Sequence, residues 1–580
     1  MRVLAKLALL AFLLGCAHSA FAAGGTCPTG ANYLNPANGA ASLVTLASQG
    51  VTNCYYIAGT ATPNPGSDTN SGTSESAPWA HAPGMGACAS NCAAVTPTAG
   101  TGFIFRGGDT WHFGNSSASP YVGSGAWGTN RSGTSSAYIY WGVDPSWYSG
   151  SSWARPIMTG DNPTRACNGS APCTVSSCTY TAGGVAQNQF FVLSGVNYVI
   201  VDNFEWTGMC WSSTAQSYYN QIVSFNGASG PPNGIVIENN YCHGWTYTTS
   251  QQGNSACFAG SSSSGPGATL QFNVVDGSDS DDLAMSAFGQ NATDTYIFQY
   301  NVVRHVGANI VSDDCHIAHD NLFEYTSMAT DGSSHGDNYF CYAEVNLGSS
   351  APNLFYNNVI RYVGTEYNQS VSYPLEDSPV SGQTDYIFNN VIHDSQPTGS
   401  PLFAIGDNNG KGNAVYWNNT ASLGSAACIV CNGTPGTITS VNNHWIGATG
   451  ISQAFQNTGT VTETSAVYMS AATATTQGYT TANDFAPTAS GNSTVTASGT
   501  NETTGYCADS VLHNALAEAY CVEGTTKGCA YNSTNHTVSC PDVLAVARLS
   551  SGAWNVGAYQ YSSSTPVSPP TSLTATPTPQ

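Results

Sequence analysis

The chain has 580 residues, 41% of them hydrophobic and only 8% charged, and its 33 acidic against 11 basic side chains give a formal net charge of −22. So acidic a chain is repelled by nucleic acid and by anionic membrane surfaces, which excludes binding to either through charge. The low charge does not signal disorder, because 31 Tyr, 20 Phe and 12 Trp supply ample surface for a packed interior.

In chain order, residues 1–22 read as a secretory signal. Arg2 and Lys6 precede an apolar stretch from Leu7 to Leu14, and a small-residue site ends at Ala22; the stretch is too short to span a bilayer. The alternative is cleavage after Gly15 to leave a lipid-anchored Cys16, but the leucine before Gly15 is not the preferred residue there. Either way the mature chain is exported, and no later segment has the length and apolarity for membrane insertion. Without Arg2 and Lys6, 9 basic residues face 33 acidic ones, a balance of −24. Of 19 cysteines, 18 lie beyond the signal, an even number that suits disulfides in an oxidising compartment. Cys88/Cys92, Cys315/Cys341, Cys507/Cys521 and Cys529/Cys540 are close enough in sequence to staple loops. Cys428 and Cys431 have redox or zinc spacing but no second such pair, and read as a structural pair.

Residues 23–189, mixing short strands with Gly, Ser and Pro loops, read as an N-terminal cap with the first rungs of a solenoid. Residues 190–447 carry a recurrent phrase, a short β-rich run ending in asparagine: IENNYCHGW, LQFNVVDGS, IFQYNVVRHV, IAHDNLFEYT, LFYNNVIRYV, IFNNVIHDS, VYWNNTASLG and ITSVNNHWIG. The last asparagines are Asn240, Asn273, Asn301, Asn321, Asn358, Asn390, Asn419 and Asn443, at steps of 33, 28, 20, 37, 32, 29 and 24. A period near twenty with insertions, built of strand-type residues, predicts rungs stacked around one continuous core. Asparagine suits the corner because its side chain bonds neighbouring backbone and tolerates tight turns, so the set predicts an internal ladder. Residues 448–561 read as final rungs, or a looser loop region, followed by a cysteine-containing cap with a short helix near Val511–Tyr520. Residues 562–580, rich in Pro, Ser and Thr, read as an extended, disordered tail.

These rungs resemble the right-handed parallel β-helix proteins of the pectate-lyase-like group. The segments Tyr55 to Trp79 and Phe103 to Trp111 resemble the opening of many secreted members, and WNVGAYQY (Trp554 to Tyr561) resembles their closing strand. The resemblance implies an all-β solenoid with capped ends over roughly Cys27 to Tyr561. It also implies a groove along one face where polysaccharide is processed, although the fold hosts lyases, hydrolases, epimerases and inert surface proteins alike.

Residues at equal offsets from the asparagines stack about 4.8 Å apart. Offset +3 reads His243, Asp276, Arg304, Glu324, Arg361 and His393, a column expected to face outward as a surface charge ladder. The acids gather instead around the next strand of each rung. Asp279, Asp281, Asp282, Asp331, His335 and Asp337 stand at its entering end, and Asp313, Asp314, Glu376, Asp377 and Asp407 at its leaving end. His319 and Asp320 sit at another corner and read as structural.

Glycoside hydrolysis needs two carboxyl groups, roughly 5–5.5 Å apart for retention or 6.5–9.5 Å for inversion, and stacked rungs make both spacings accessible. A lyase needs a base beside the uronate and a cation to neutralise its carboxylate. The mature chain has two lysines, Lys411 in a Gly/Asn turn and Lys527 in the cap, so a lysine base could come only from Lys411. A Ca²⁺ ion held by Asp279 and Asp281, with His335 as base, is the other route, although DGSDSDD (Asp276 to Asp282) is only a loose echo of a calcium loop.

The expected catalytic set is therefore Asp282, Asp313, Asp314, His335 and Asp337, with Trp245, Tyr339, Glu376 and Asp377 binding substrate. Loop aspartates taken singly are ordinary turn formers. Trp206, Trp211, Trp245 and Tyr247 could stack on sugars, but aromatics are abundant enough here that packing is the default role of each. The partner is a polysaccharide and the protein a monomer. A non-catalytic surface protein that binds glycan along its side is the competing class.

Overall fold

The computed structural model describes residues 24–29, 32–35, 42–164, 175–180, 189–211, 221–226, 233–248, 255–260, 268–280, 285–289, 297–306, 311–312, 317–326, 339–341, 352–362, 375–377, 379, 381–393, 403–405, 412–422, 429–431, 436–456, 460–508, 515–525, 529–540 and 546–562. Residues 1–23 and 563–580 lie outside this set.

Among the described residues the strands fall into three long sheets of 14, 11 and 12 strands. Neighbours within them are parallel, apart from an antiparallel first pair that joins Gly25–Thr26 to Asn53–Ile57. One coil illustrates the rest. Ile235–Glu238 lies in the first sheet, the chain turns at Asn240, Tyr241–His243 lies in the third sheet, and Ser255–Gly260 returns through the second. Each strand pairs with its counterpart one coil on, as Ile235 does with Ala268 and Tyr241 with Val274. With parallel strands joined by crossovers of the usual hand, the chain is a right-handed parallel β-helix. Its first coils begin at Asn53–Ile57 and Thr101–Gly107, inside the stretch read as cap and first rungs. Its last coil is Phe455–Gln456, Thr460–Thr464 and Val467–Met469.

The asparagine ladder is present over all eight corners. Oδ1 of Asn358 accepts from both the backbone N (3.0 Å) and Nδ2 (2.9 Å) of Asn321, while Nδ2 of Asn358 donates to Ala318 O at 2.9 Å and Asn390 Oδ1 at 3.2 Å. That saturates the amide. The same pattern links Asn240 to Asn273, Asn301 and Asn321, and Asn390 to Asn419 and Asn443.

One expectation needs correction. The left-handed turn belongs not to the ladder residue but to the residue before it: Asn239, Phe272, Tyr300, Asp320, Asn357, Asn389, Asn418 and Asn442 all have φ between 53° and 58°. Asn and Asp tolerate this region, which explains six of the eight. The exceptions, Phe272 and Tyr300, stack on each other at 4.9 Å and pack under Cys529.

Among the described residues after Met469 no further coil is added. The chain runs back along the outside of the solenoid as a strap that includes the helices Ala471–Thr476 and Ala515–Cys521 and the hairpin of Ala530–Asn532 with Thr537–Ser539. Strap residues Cys507, Ala517, Tyr520, Cys521 and Trp554 bury the outer column Tyr356, Phe388 and Trp417 of the first sheet. On the third sheet, Ala558 and Tyr559, with Ala486, Tyr531 and Val538, pack on Tyr241, Val274, Val302, Leu322, Val359 and Val391. The chain's few arginines pin these additions. Arg548 donates to Glu523 O, Asn555 O, Asn389 Oδ1, Gly557 O and Ala558 O. Arg155 reaches from Asn239 O on the solenoid to Asn535 O in the hairpin, and Arg106 ties Asp109 to the carbonyls of Ala61 and Pro63 near the start.

Disulfides join Cys27–Cys54, Cys88–Cys92, Cys178–Cys210, Cys242–Cys257, Cys507–Cys521 and Cys529–Cys540. Three of the four pairs read from short spacing are bonded. Cys315 and Cys428 lie outside the described residues, so the pairs Cys315/Cys341 and Cys428/Cys431 do too. Bonds in this number belong to proteins of oxidising compartments. Among the described residues no helix is long and apolar enough to cross a membrane.

Candidate functional site

The strands expected to frame the acids are those of the second sheet. Met285–Gly289, Val311–Ser312, Tyr339–Cys341, Leu375–Asp377 and Phe403–Ile405 follow one another in register, with Phe288, Val311, Tyr339, Leu375 and Phe403 in one column. Among the site residues, Asp281, Asp282, Asp313, Asp314, His335 and Asp337 lie outside the described residues, as do Asp331 and Asp407. Glu376 and Asp377 belong to the strand itself rather than to its leaving end: Glu376 pairs with Phe340 and Ala404, and Asp377 with Cys341 and Ile405. Tyr339 shares its register column with Leu375, which is packed in the core.

Two expected residues are placed differently from the sequence reading. Trp245 is 1% exposed and packs in the central core, where it has no face to offer a sugar; Trp206 and Trp211 are buried in the same way. Asp279, expected to hold a metal, is committed elsewhere. Its Oδ2 is 2.8 Å from His243 Nδ1 and its Oδ1 accepts from Gly244 N at 3.0 Å. Each oxygen thus has a partner within the coil, while Asp281 lies outside the described residues. Among the described residues no group of three or more His, Cys, Asp or Glu side chains is arranged to hold a metal ion.

What the structure does bring together is Glu205, His243 and Asp279 on the outer side of the third sheet. His243 Nε2 lies 3.2 Å from Glu205 Oε1, so both ring nitrogens are engaged. Burial opposes its charge, but the bonds from Asp279 and Glu205 outweigh that and raise its pKa to about 9. An imidazolium clamped between two carboxylates has no free nitrogen to act as a base, so its role is to hold the coil. Because the folded value lies above the unfolded value of about 6.5, the stabilisation is complete below pH 6.5 and is lost as pH rises towards 9. The expected result is a fall of up to about 3 kcal/mol in unfolding free energy between those limits. Asp279→Asn should flatten that slope, as read by urea titrations at pH 6, 7.5 and 9.

The offset +3 column is in the predicted register, from His243 through Asp276, Arg304, Glu324 and Arg361 to His393. It is not a surface ladder, however, because the strap covers it: Asp276, Glu324 and His393 are buried. Arg361 bonds Glu324 Oε2 at 2.9 Å and Asp484 Oδ1 of the strap at 3.3 Å, and His393 meets the same Asp484 oxygen at 3.1 Å. His319 pairs with Asp320 at 2.6 Å, buried between Tyr356 and Tyr300, and is structural as expected. Asp202 and Glu238 carry the shifted pKa values that often mark active sites; burial drives Asp202 up to about 6 and holds Glu238 well above the usual carboxylate range. Both are fully buried. Asp202 accepts from Tyr140 and Asn239, and Glu238 from Gln271, so they are sealed from any substrate.

No family model matches the chain, and no curated protein matches it. Among solved structures it is similar to the GH136 lacto-N-biosidase from Eubacterium ramulus, with 12% identity over 72% of this chain and 67% of that one and a TM-score of 0.39. It is also similar to a rhamnogalacturonan lyase, at 12% identity over 71% and 87% of the chains with a TM-score of 0.36. A third is pectate lyase Pel9A, at 14% identity over 88% and 96% with a TM-score of 0.34.

Proposed function

We propose that the protein processes polysaccharide, as a lyase or a glycoside hydrolase, along the outer side of its second sheet. One observation carries this reading. Among the described residues the strap's packing falls on the first and third sheets, while the candidate acids flank strands of the second. Among the described residues, therefore, none of the strap's packing falls on the second sheet.

In sequence, Asp282, His335 and Asp337 precede these strands and Asp313 and Asp314 follow one of them, and these are the acids and base proposed for the chemistry, with Glu376 proposed to contact substrate. The strands Val311–Ser312 and Tyr339–Cys341 are two and three residues long. For hydrolysis, two of these carboxyl groups serve as the acid and its partner, at either the retaining or the inverting spacing. For lyase chemistry, His335 is the base and the carboxylates orient the uronate through a cation.

The test is a panel of neutral and acidic polysaccharides, with and without Ca²⁺, followed by reducing ends and by absorbance of unsaturated uronides. Both signals together identify a lyase, and reducing ends alone a hydrolase. Binding without either signal makes the protein a glycan-binding surface solenoid and overturns the enzymatic reading.

A further inference from the structure

The far end of the strap is fixed to the solenoid by an aromatic and imidazole stack. The hairpin of Ala530–Asn532 and Thr537–Ser539 is closed by Cys529–Cys540, so it moves as one body. His536, at its tip with φ 51°, lies flat on Tyr241, centroids 4.2 Å apart and planes 5° apart; Tyr241 in turn stacks on His243 at 4.2 Å. His536 Nδ1 is 2.5 Å from Tyr531 Oη, which donates to Asp276 Oδ2 at 3.0 Å. Tyr531 spends its single hydroxyl proton on Asp276, so His536 must supply Nδ1–H to the tyrosine oxygen. The docked ring therefore carries its proton on Nδ1, and its Nε2 has no partner among the described residues.

We propose that this hairpin is an acid-released clasp: protonation of His536 at Nε2 detaches it from the third sheet and uncovers Tyr241 and Val274. The groups around His536 explain the direction. His243 is a cation one ring away. The Arg155 guanidinium bonds Asn535 O at 2.9 Å, and Arg304 sits over the Tyr531 ring at 4.5 Å. Asp276 and Glu205 oppose these cations, but Asp276 is bonded to Tyr531 and also faces Arg304, while Glu205 and Asp279 are taken up by His243. A second imidazolium thus enters a half-buried place where the carboxylates already have partners. Burial and the neighbouring His243 hold the His536 pKa below its ordinary value. A base whose docked pKa is lowered binds fully above its free value, about 6.5, and loosens as pH falls below it. The opening constant rises up to tenfold per pH unit until the docked ring also titrates.

The test is hydroxyl-radical footprinting of the full chain between pH 5 and 8, reading oxidation at Tyr241 and Tyr531 against buried Trp445 as a monitor of global unfolding. Expected is a several-fold rise at both tyrosines below pH 6.5 with Trp445 unchanged, and a flat profile in His536→Asn, since asparagine is neutral and accepts the left-handed backbone. A flat wild-type profile, or an unaltered rise in His536→Asn, overturns the proposal. If His536→Asn leaves Tyr241 labelled at every pH, the wild-type His536 titration read by NMR decides. A midpoint coinciding with the labelling midpoint upholds the clasp, and one separated from it overturns it.

Discussion

Asn358→Ala should lower the unfolding free energy by about 4 kcal/mol, measured by chemical denaturation. The substitution strands the backbone N–H of Asn321, one Nδ2 proton of Asn321 and the carbonyl of Ala318, all bonded to Asn358 in the native chain. Asn358 is fully buried, so water does not reach these groups, and each unsatisfied group costs about 1–3 kcal/mol. Leucine, nearly the same size, should do no better, because the loss is in hydrogen bonding rather than volume. Thr462→Ala on the exposed last coil is the control, with an effect within about 0.5 kcal/mol. A ladder substitution as mild as the control would mean that the asparagines fill space without organising the corner.

Arg548→Met should release the strap. Arg548 is buried, and no carboxylate among the described residues pairs with it. Burial presses its pKa down, and five oxygens, four of them backbone carbonyls, accept from all three guanidinium nitrogens. Methionine matches the stem but leaves those oxygens unpaired, a loss on the order of 3 kcal/mol. Because Asn389 Oδ1 is the attachment point on the solenoid, the loss should appear as local detachment before global unfolding. The outer column Tyr356, Phe388 and Trp417 would then be uncovered. The expected signs are stronger binding of an apolar dye and self-association in sedimentation. A variant that remains monomeric and dye-silent would show that the strap is held by its apolar contacts alone.

The rungs were legible because the asparagine phrase carries both period and register. The offset +3 column, the second-sheet strands and the ladder all follow from counting residues from each asparagine. The strap was not legible by that counting, since it has no repeat. Its footprint was nevertheless in the sequence: offset +1 reads Tyr241, Val274, Val302, Leu322, Val359 and Val391. Offset +2 already supplies the core with Cys242, Val275, Val303, Phe323, Ile360 and Ile392, and strands alternate their faces. An apolar column on the outward face can persist only under cover, so this column foretells a covering segment. The same oversight turned buried ion pairs into a supposed surface ladder. Trp245 was misread because an aromatic beside a loop gives no sign of which side its backbone turns. The pairing of Asp279 with His243 was not legible because the two lie 36 residues apart in sequence. The acids around the second sheet are legible only as a cluster, since turn aspartates and catalytic aspartates look alike one at a time.

The most direct test of a working second-sheet face compares the wild-type protein with Asp313→Asn and His335→Gln on whichever polysaccharide of the panel it cleaves, at matched thermal stability. General acid and base groups contribute roughly 10²–10⁴-fold, so each variant should lose at least about a hundredfold in kcat while still binding the chain. Turnover retained within a few-fold in both variants would contradict the account and move the chemistry away from that sheet.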